Sequence, residues 1–409
     1  MYDDLKSLEN AMLWEERHRY SLPKSEMERR WSGFRKRMAE QGIDYLVAQS
    51  QNRFVGGYFR YFTDIPGVNY LITCVFPLDG EMTLIGHGPP KVSPPLPDDM
   101  GVKQRITNVT FPNTWWEQGL DPEAAVGVMS QTTPKKIGMV GLGNMSAALH
   151  EGIRTRMPNV ELVNASNLVE EMRMVKSEAE LKLMRQAAYM HEKGYEFGLN
   201  AIQPGKTVGD VILEMRREQL SVGSEEQQIA INFGPLGGRR FGGMSWGNIT
   251  TRRPFKRGDI IHMFLIENSN AGGYWYDLRR MGSLGPVPKE MQEAYDIVKE
   301  ARQIMADNIK VGQKFGPALA ASDNFLKSKG LPPEDRMGGH SQGLDLAERP
   351  VIHHDEPAVA QENMIIIPHP AAITKRVTGL IGDNMLITKN GTVPFYKSLF
   401  DDDEIHVIG

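Results

Sequence analysis

The 409-residue chain carries one cysteine, Cys74. A lone thiol can form neither an intramolecular disulfide nor a cysteine-based metal cluster, and it fits a reducing, cytoplasmic home. Also missing is any run of about 18 apolar residues, the length a membrane-crossing helix needs. The opening stretch MYDDLKSLENAMLWEERHRY is charged throughout and has no apolar core, so it does not read as a signal peptide. No charge of one sign dominates: 47 Lys and Arg stand against 51 Asp and Glu, intermixed, for a net −4. That leaves no basic face for nucleic acid or anionic lipid. What is present is 40% hydrophobic content in a length with room for about two to three domains. A soluble, enzyme-sized globular protein is expected.

Residues 1–22 read as a charged lead-in ended by Pro23. Ser25 is expected to cap an amphipathic helix that places Met27, Trp31, Phe34 and Met38 at helical spacing and stops at Gly42. The strand runs IDYLVAQS, YLITCVFP and EMTLIGHG follow. A Pro-rich loop then precedes Trp115 and Trp116, which are read as core packing, or as a lid or subunit contact that walls an active site. The strand KKIGMVG, a helix from about Met145 to Met157 and the strand VELVNA close a small α/β domain near residue 170. Beyond it, LVEEMRMVKSEAELKLMRQAA reads as two helices meeting near Lys176. Ser177 and Glu180 would form the capping box of the second.

The second half contains an echo. Ile202 to Asp210 and Ile309 to Pro317 each leave one long helix by a glycine turn and open another, which suggests a pseudo-twofold α+β domain. Between them, Ile231 to Thr251 is glycine-rich but matches no phosphate-binding motif, and reads as a loop over the site. Gly258 to Arg280 reads as a hairpin with Asp277 on its return arm. About sixty residues on, GGHSQGLDLAERP sets His340 after two glycines, where a backbone without side chains lets the imidazole reach a cavity. His262 reads as a core histidine, and His353 and His354 as part of a solvated loop.

Taken together, the linker MRMVKSEAELKLMRQAA, the doubled turns, GDIIHMFLI, GGHSQGLDLAERP and ENMIIIPHP resemble the creatinase/prolidase/methionine aminopeptidase family, over nearly the whole chain. The resemblance implies an α+β fold: an N-terminal creatinase-like α/β domain over residues 1–170 and a pita-bread catalytic domain over residues 171–409. It also implies a homodimer. The family's metalloenzymes bind two metal ions through two Asp, one His and two Glu. Here the second Asp falls on Asp277 and the His on His340. The first Asp falls on Ile266, beside Glu267, one Glu falls on His369, and the other falls on Gly382. A dinuclear site is therefore not expected.

The residues that remain suit a single Fe, Zn or Mn ion on Asp277, His340 and His369. Glu267 would serve as a fourth ligand or as the base on bound water. Arg279 or Arg280 would anchor an anionic substrate group. Glu348 matches the glutamate of a substrate-contacting family motif whose histidine is Ala347 here, which argues against ordinary Xaa-Pro peptidase activity. The expected activity is C–N hydrolysis, with elimination second, in a small carboxylate-bearing molecule. The alternatives are a metal-free hydrolase of the creatinase type, an Xaa-Pro peptidase, and a binding protein without catalysis. In the metal-free alternative Asp277 pairs with a nearby arginine.

Overall fold

A computed structural model describes residues 22–50, 54–67, 70–88, 101–109, 119–237, 253–269, 272–334, 336–396 and 404–409. Trp115, Trp116 and the stretch 238–252 lie outside them. The described residues form two compact units that divide between Arg173 and Met174.

The first unit begins with helix α1 (Lys24–Gln41). Ser25 does not cap it: Pro23, fixed near φ −65°, precedes the helix, and no side chain caps its first turn. Gly42, at φ +65°, ends it as expected. Met27, Trp31, Phe34 and Met38 are buried, and the Phe34 ring stacks on Phe62 at 4.3 Å. Helix α2 (Gly57–Thr63) supplies Phe62. The sheet has six strands: β1 (Tyr45–Gln49), β2 (Thr73–Pro77), β3 (Met82–His87), β4 (Val102–Asn108), β5 (Lys136–Val140) and β6 (Glu161–Asn164). Their order is β4-β3-β2-β1-β5-β6. Helices α3 (Leu120–Met129) and α4 (Ala147–Arg156) put Ala125, Met129, Leu149 and Ile153 onto it.

Helix α5 (Ser166–Met174) runs to the division between the units, and α6 (Glu178–Ala201) starts the second. The capping box is formed: the Ser177 side chain accepts from the Glu180 N–H, and the Glu180 carboxylate accepts from the Ser177 N–H. Helix α7 (Val208–Ser221) leads into β7 (Ser224–Pro235), β8 (Asp259–Ser269) and β9 (Trp275–Leu284), which pair antiparallel. Ile231 to Pro235, expected as loop, therefore belongs to a strand. Both glycine turns are present, with Gly205 at φ +93° before α7 and Gly312 at φ +84° before α9 (Gly316–Ser328), which follows α8 (Lys289–Asp307).

The remaining strands are β10 (Gly339–Ser341), β11 (Glu348–Val351), β12 (Ile365–Pro368), β13 (Ala371–Ile373), β14 (Thr378–Leu380), β15 (Gly382–Asp383), β16 (Met385–Thr388), β17 (Gly391–Pro394) and β18 (His406–Ile408). One sheet runs β11-β10-β12-β16-β17, and another runs β15-β9-β8-β7 with β18 also on β9.

Side chains alternate across a strand, so register decides which side of the β8–β9 hairpin each residue serves. Ile261, Met263, Leu265 and Leu278 pack with Tyr195 of α6 and Val211, Ile212 and Met215 of α7. Residues opposite Ile266, Phe264 and His262, namely Asp277, Arg279 and Met281, face the other way.

Candidate functional site

Asp277 sits in the middle of β9 and is fully buried. Its backbone N–H donates to Asn384 Oδ1 at 3.2 Å, and Asn384 Nδ2 in turn donates to Gln342 Oε1 at 3.0 Å. The carboxylate belongs to Arg279, two residues along the same strand and therefore on the same face. Arg279 Nη2 donates to Oδ2 at 2.7 Å and Nε donates to it at 3.1 Å. The guanidinium also lies over the Phe264 ring, 5.5 Å from its centroid.

Gly382 makes room for this arginine. In the β15–β9 pairing it lies opposite Arg279, and a side chain there would begin 3.1 Å from Arg279 Cδ and 3.4 Å from His369 Cβ. The family's Glu position is thus filled by an arginine side chain from the neighbouring strand.

His340 reaches the site from β10, paired with Ile367 of β12. A side chain on the preceding Gly339 would run into the Ile367 carbonyl, so glycine is needed to keep the two strands together. His340 Nδ1 lies 2.9 Å from the Ser341 carbonyl, to which it donates, leaving the lone pair on Nε2. His369 follows β12 directly, and its ring meets His340 edge-on with centroids 5.1 Å apart. Neither ring nitrogen of His369 has a hydrogen-bond partner among the described residues. Burial, then the Arg279 charge, push both imidazoles below the ordinary histidine pKa, and His369 well below. Both are neutral bases at pH 7.

Three expected roles are redistributed by register and pairing. Glu267 lies opposite Tyr276, on the reverse of the hairpin from Asp277, beside Ser224 and Gln219, so it is neither a ligand nor a base at this site. Its burial pushes the carboxyl up to about 8. Arg280 is turned the same way as Glu267 and donates to Asp383 Oδ1 at 2.8 Å. Glu348 holds buried Lys176 at 3.0 Å and accepts the Asp345 N–H. Arg279 and Arg280, expected to anchor a substrate anion, and Glu348, expected at the substrate, are each engaged in an internal pair. Sequence reading missed Lys176 as Glu348's partner and Asn384 as the brace behind Asp277. Asn384 was visible as the residue two past Gly382, in register with Asp277 once β15 is laid beside β9.

The sequence model described as metallopeptidase family M24 matches residues 182–389, half of the chain. The chain belongs to family M24. A curated Xaa-Pro dipeptidase from Pyrococcus horikoshii is 24% identical over 240 residues, which covers 58% of this chain and 67% of that protein. A probable dipeptidase PepE from Mycobacterium tuberculosis is 24% identical over 287 residues, covering 68% and 72%. Among solved structures, dipeptidase PepE from Mycobacterium ulcerans superposes with a TM-score of 0.73 at 19% identity, covering 94% of this chain and 98% of that one. The fold of this M24 chain is the pita-bread fold expected from its motifs.

The M24 name implies metal, and the donor set here does not fit one. Ile266 and Gly382 bring no ligand, and Asp277 is committed to Arg279. Among the described residues no three His, Cys, Asp or Glu side chains gather closely enough to hold a metal ion. A mononuclear site on Asp277, His340 and His369 would require Asp277 to exchange its arginine for the ion.

Proposed function

We propose that this chain is an M24 hydrolase that cleaves a C–N bond in a small non-peptide molecule without a metal ion at the family's usual position. The observation that carries the reading is the Asp277–Arg279 pair standing beside two neutral imidazoles. In this reading His340 Nε2 takes a proton from water as the water oxygen attacks the substrate carbon. The Arg279 guanidinium, held still by Asp277, stabilises the negative charge that develops on the substrate oxygen or nitrogen. The imidazolium then returns its proton to the departing nitrogen as the C–N bond breaks. His369, with both ring nitrogens available, orients the substrate.

Hydrolysis is carried forward in preference to elimination because the relatives above are named as dipeptidases. Those names favour one further reading, an Xaa-Pro dipeptidase that recruits a metal when substrate arrives. The chain is taken as a homodimer in either case, which light scattering tests.

Assays on small amides, amidines and ureas beside Xaa-Pro dipeptides, with and without added Mn or Zn, separate the readings. Turnover of a non-peptide substrate, lowered roughly 100-fold or more by His340→Ala with the fold intact, supports the proposal. Metal-dependent cleavage of Xaa-Pro dipeptides supports the second reading. Turnover untouched by His340→Ala and His369→Ala discards both imidazole roles.

A further inference from the structure

The two halves of the site come from different sheets. Asp277 and Arg279 stand on β9, in the sheet β15-β9-β8-β7. His340 stands on β10 and His369 follows β12, both in the sheet β11-β10-β12-β16-β17. How far the carboxylate–guanidinium pair lies from the imidazoles is therefore set by whatever joins the sheets. Asn384 is the single residue between β15 and β16, where the chain passes from one sheet to the other. Its side chain is buried and bonds to both. Oδ1 accepts the Asp277 N–H at 3.2 Å, on the side of β9, and Nδ2 donates to Gln342 Oε1 at 3.0 Å, on the side of β10. Gln342 follows β10 directly and is completely buried. It is held in turn, since its Nε2 donates to the Leu346 carbonyl at 3.1 Å. The two amides form a chain from the backbone of Asp277 to the loop that leaves His340.

Packing alone does not call for this chain. Burying two primary amides carries a desolvation cost that apolar side chains of the same volume avoid. What the amides add is direction: a hydrogen bond fixes distance and angle, whereas an apolar contact can slide. Nor is the chain needed to join the sheets. The backbone does so already, with the Trp275 N–H donating to the Gly343 carbonyl at 2.8 Å and the Phe395 N–H to the Asn384 carbonyl at 3.0 Å. What remains for the side chains is the finer placement of Asp277. We infer that Asn384 and Gln342 are positioning residues, which act as one unit to hold the Asp277–Arg279 pair at its working distance from His340 and His369. The inference rests on the reading of that pair and those imidazoles given above. Neither amide touches substrate; both act through Asp277.

Steady-state kinetics of Asn384→Leu, Gln342→Met and the double variant, beside His340→Ala, test this on the full chain with the substrate that the assays above identify. Both substitutions keep side-chain volume and remove the hydrogen bonds. Each single variant should lose kcat by roughly tenfold or more with KM within about twofold, because the geometry of the reacting groups is disturbed and substrate contacts are not. The double variant should be no worse than Asn384→Leu, since residues that act as one unit are not additive. A purely structural role would lower the melting temperature and leave kcat of the folded protein alone. Hydrogen exchange reads the same chain without substrate: the Asp277 amide should exchange about tenfold or more faster in both single variants while amides of β8 keep their protection. Three results would overturn the inference: kcat within about twofold of the parent in both single variants while His340→Ala costs about 100-fold, losses that multiply in the double variant, or an Asp277 amide equally protected in Gln342→Met and the parent. Turnover that survives His340→Ala would instead remove the reading on which the inference rests, and the inference with it.

Discussion

A guanidinium beside a buried carboxylate does part of what a metal ion does there: it balances the charge and fixes the oxygens, but it has no open coordination position for substrate. Because Asp277 is completely buried, it depends on Arg279 for charge balance. Replacing Arg279 by Met leaves that charge uncompensated and should lower stability by about 3–5 kcal/mol in urea unfolding. A loss under about 1 kcal/mol would show that the pair is not formed. Glu267 gives a pH test. Its folded-state pKa, about 8, is raised above the ordinary carboxyl value, so protons are held more tightly in the folded chain. Stability linked to this group is therefore full below about pH 4.5 and is lost as pH rises towards 8. Glu267→Gln should remove the decline, making the variant more stable than the parent at pH 8 by on the order of 3–4 kcal/mol and no more stable at pH 4. Parallel unfolding curves for the two proteins across pH 4–8 would contradict the burial of the carboxyl.

At the scale of elements, the site depends on strand register and on a few glycines. Gly339 lets β10 lie against β12, so Gly339→Ala should push His340 away from His369. We expect lower melting temperature and loss of turnover together, whereas a wild-type melt with full turnover would contradict the close approach. The capping box at α6 is a control remote from chemistry: Ser177→Ala should cost about 1 kcal/mol with turnover unchanged. Much of this level was legible in the sequence. The Ser177–Glu180 spacing, the two glycine turns and the 3.6-residue pattern of α1 are local signals, and local signals survive without knowledge of neighbours. Pairing partners are not local. Glu267 looked like a substitute for the ligand missing at Ile266 because it is adjacent in sequence, yet one step along a strand reverses the face. Arg279 and Arg280 looked like one cationic pair for the same reason, and they serve opposite sides of β9. Glu348 could not be connected to Lys176 at all, since 172 residues separate them.

For the molecule as a whole, the motifs identified family and fold from sequence, while the departures from those motifs lie at the family's ligand positions. An M24 chain that has exchanged two ligand positions for Ile266 and Gly382 and placed an arginine among the rest has a site whose buried carboxylate is already balanced by a guanidinium. The most direct test is the metal content and chelator response of the purified, active protein. The account predicts far less than one equivalent of Mn, Fe, Zn or Co by elemental analysis, with turnover and melting temperature unchanged after chelation. About one or more bound equivalents, with turnover lost on chelation and restored by the metal, would contradict it.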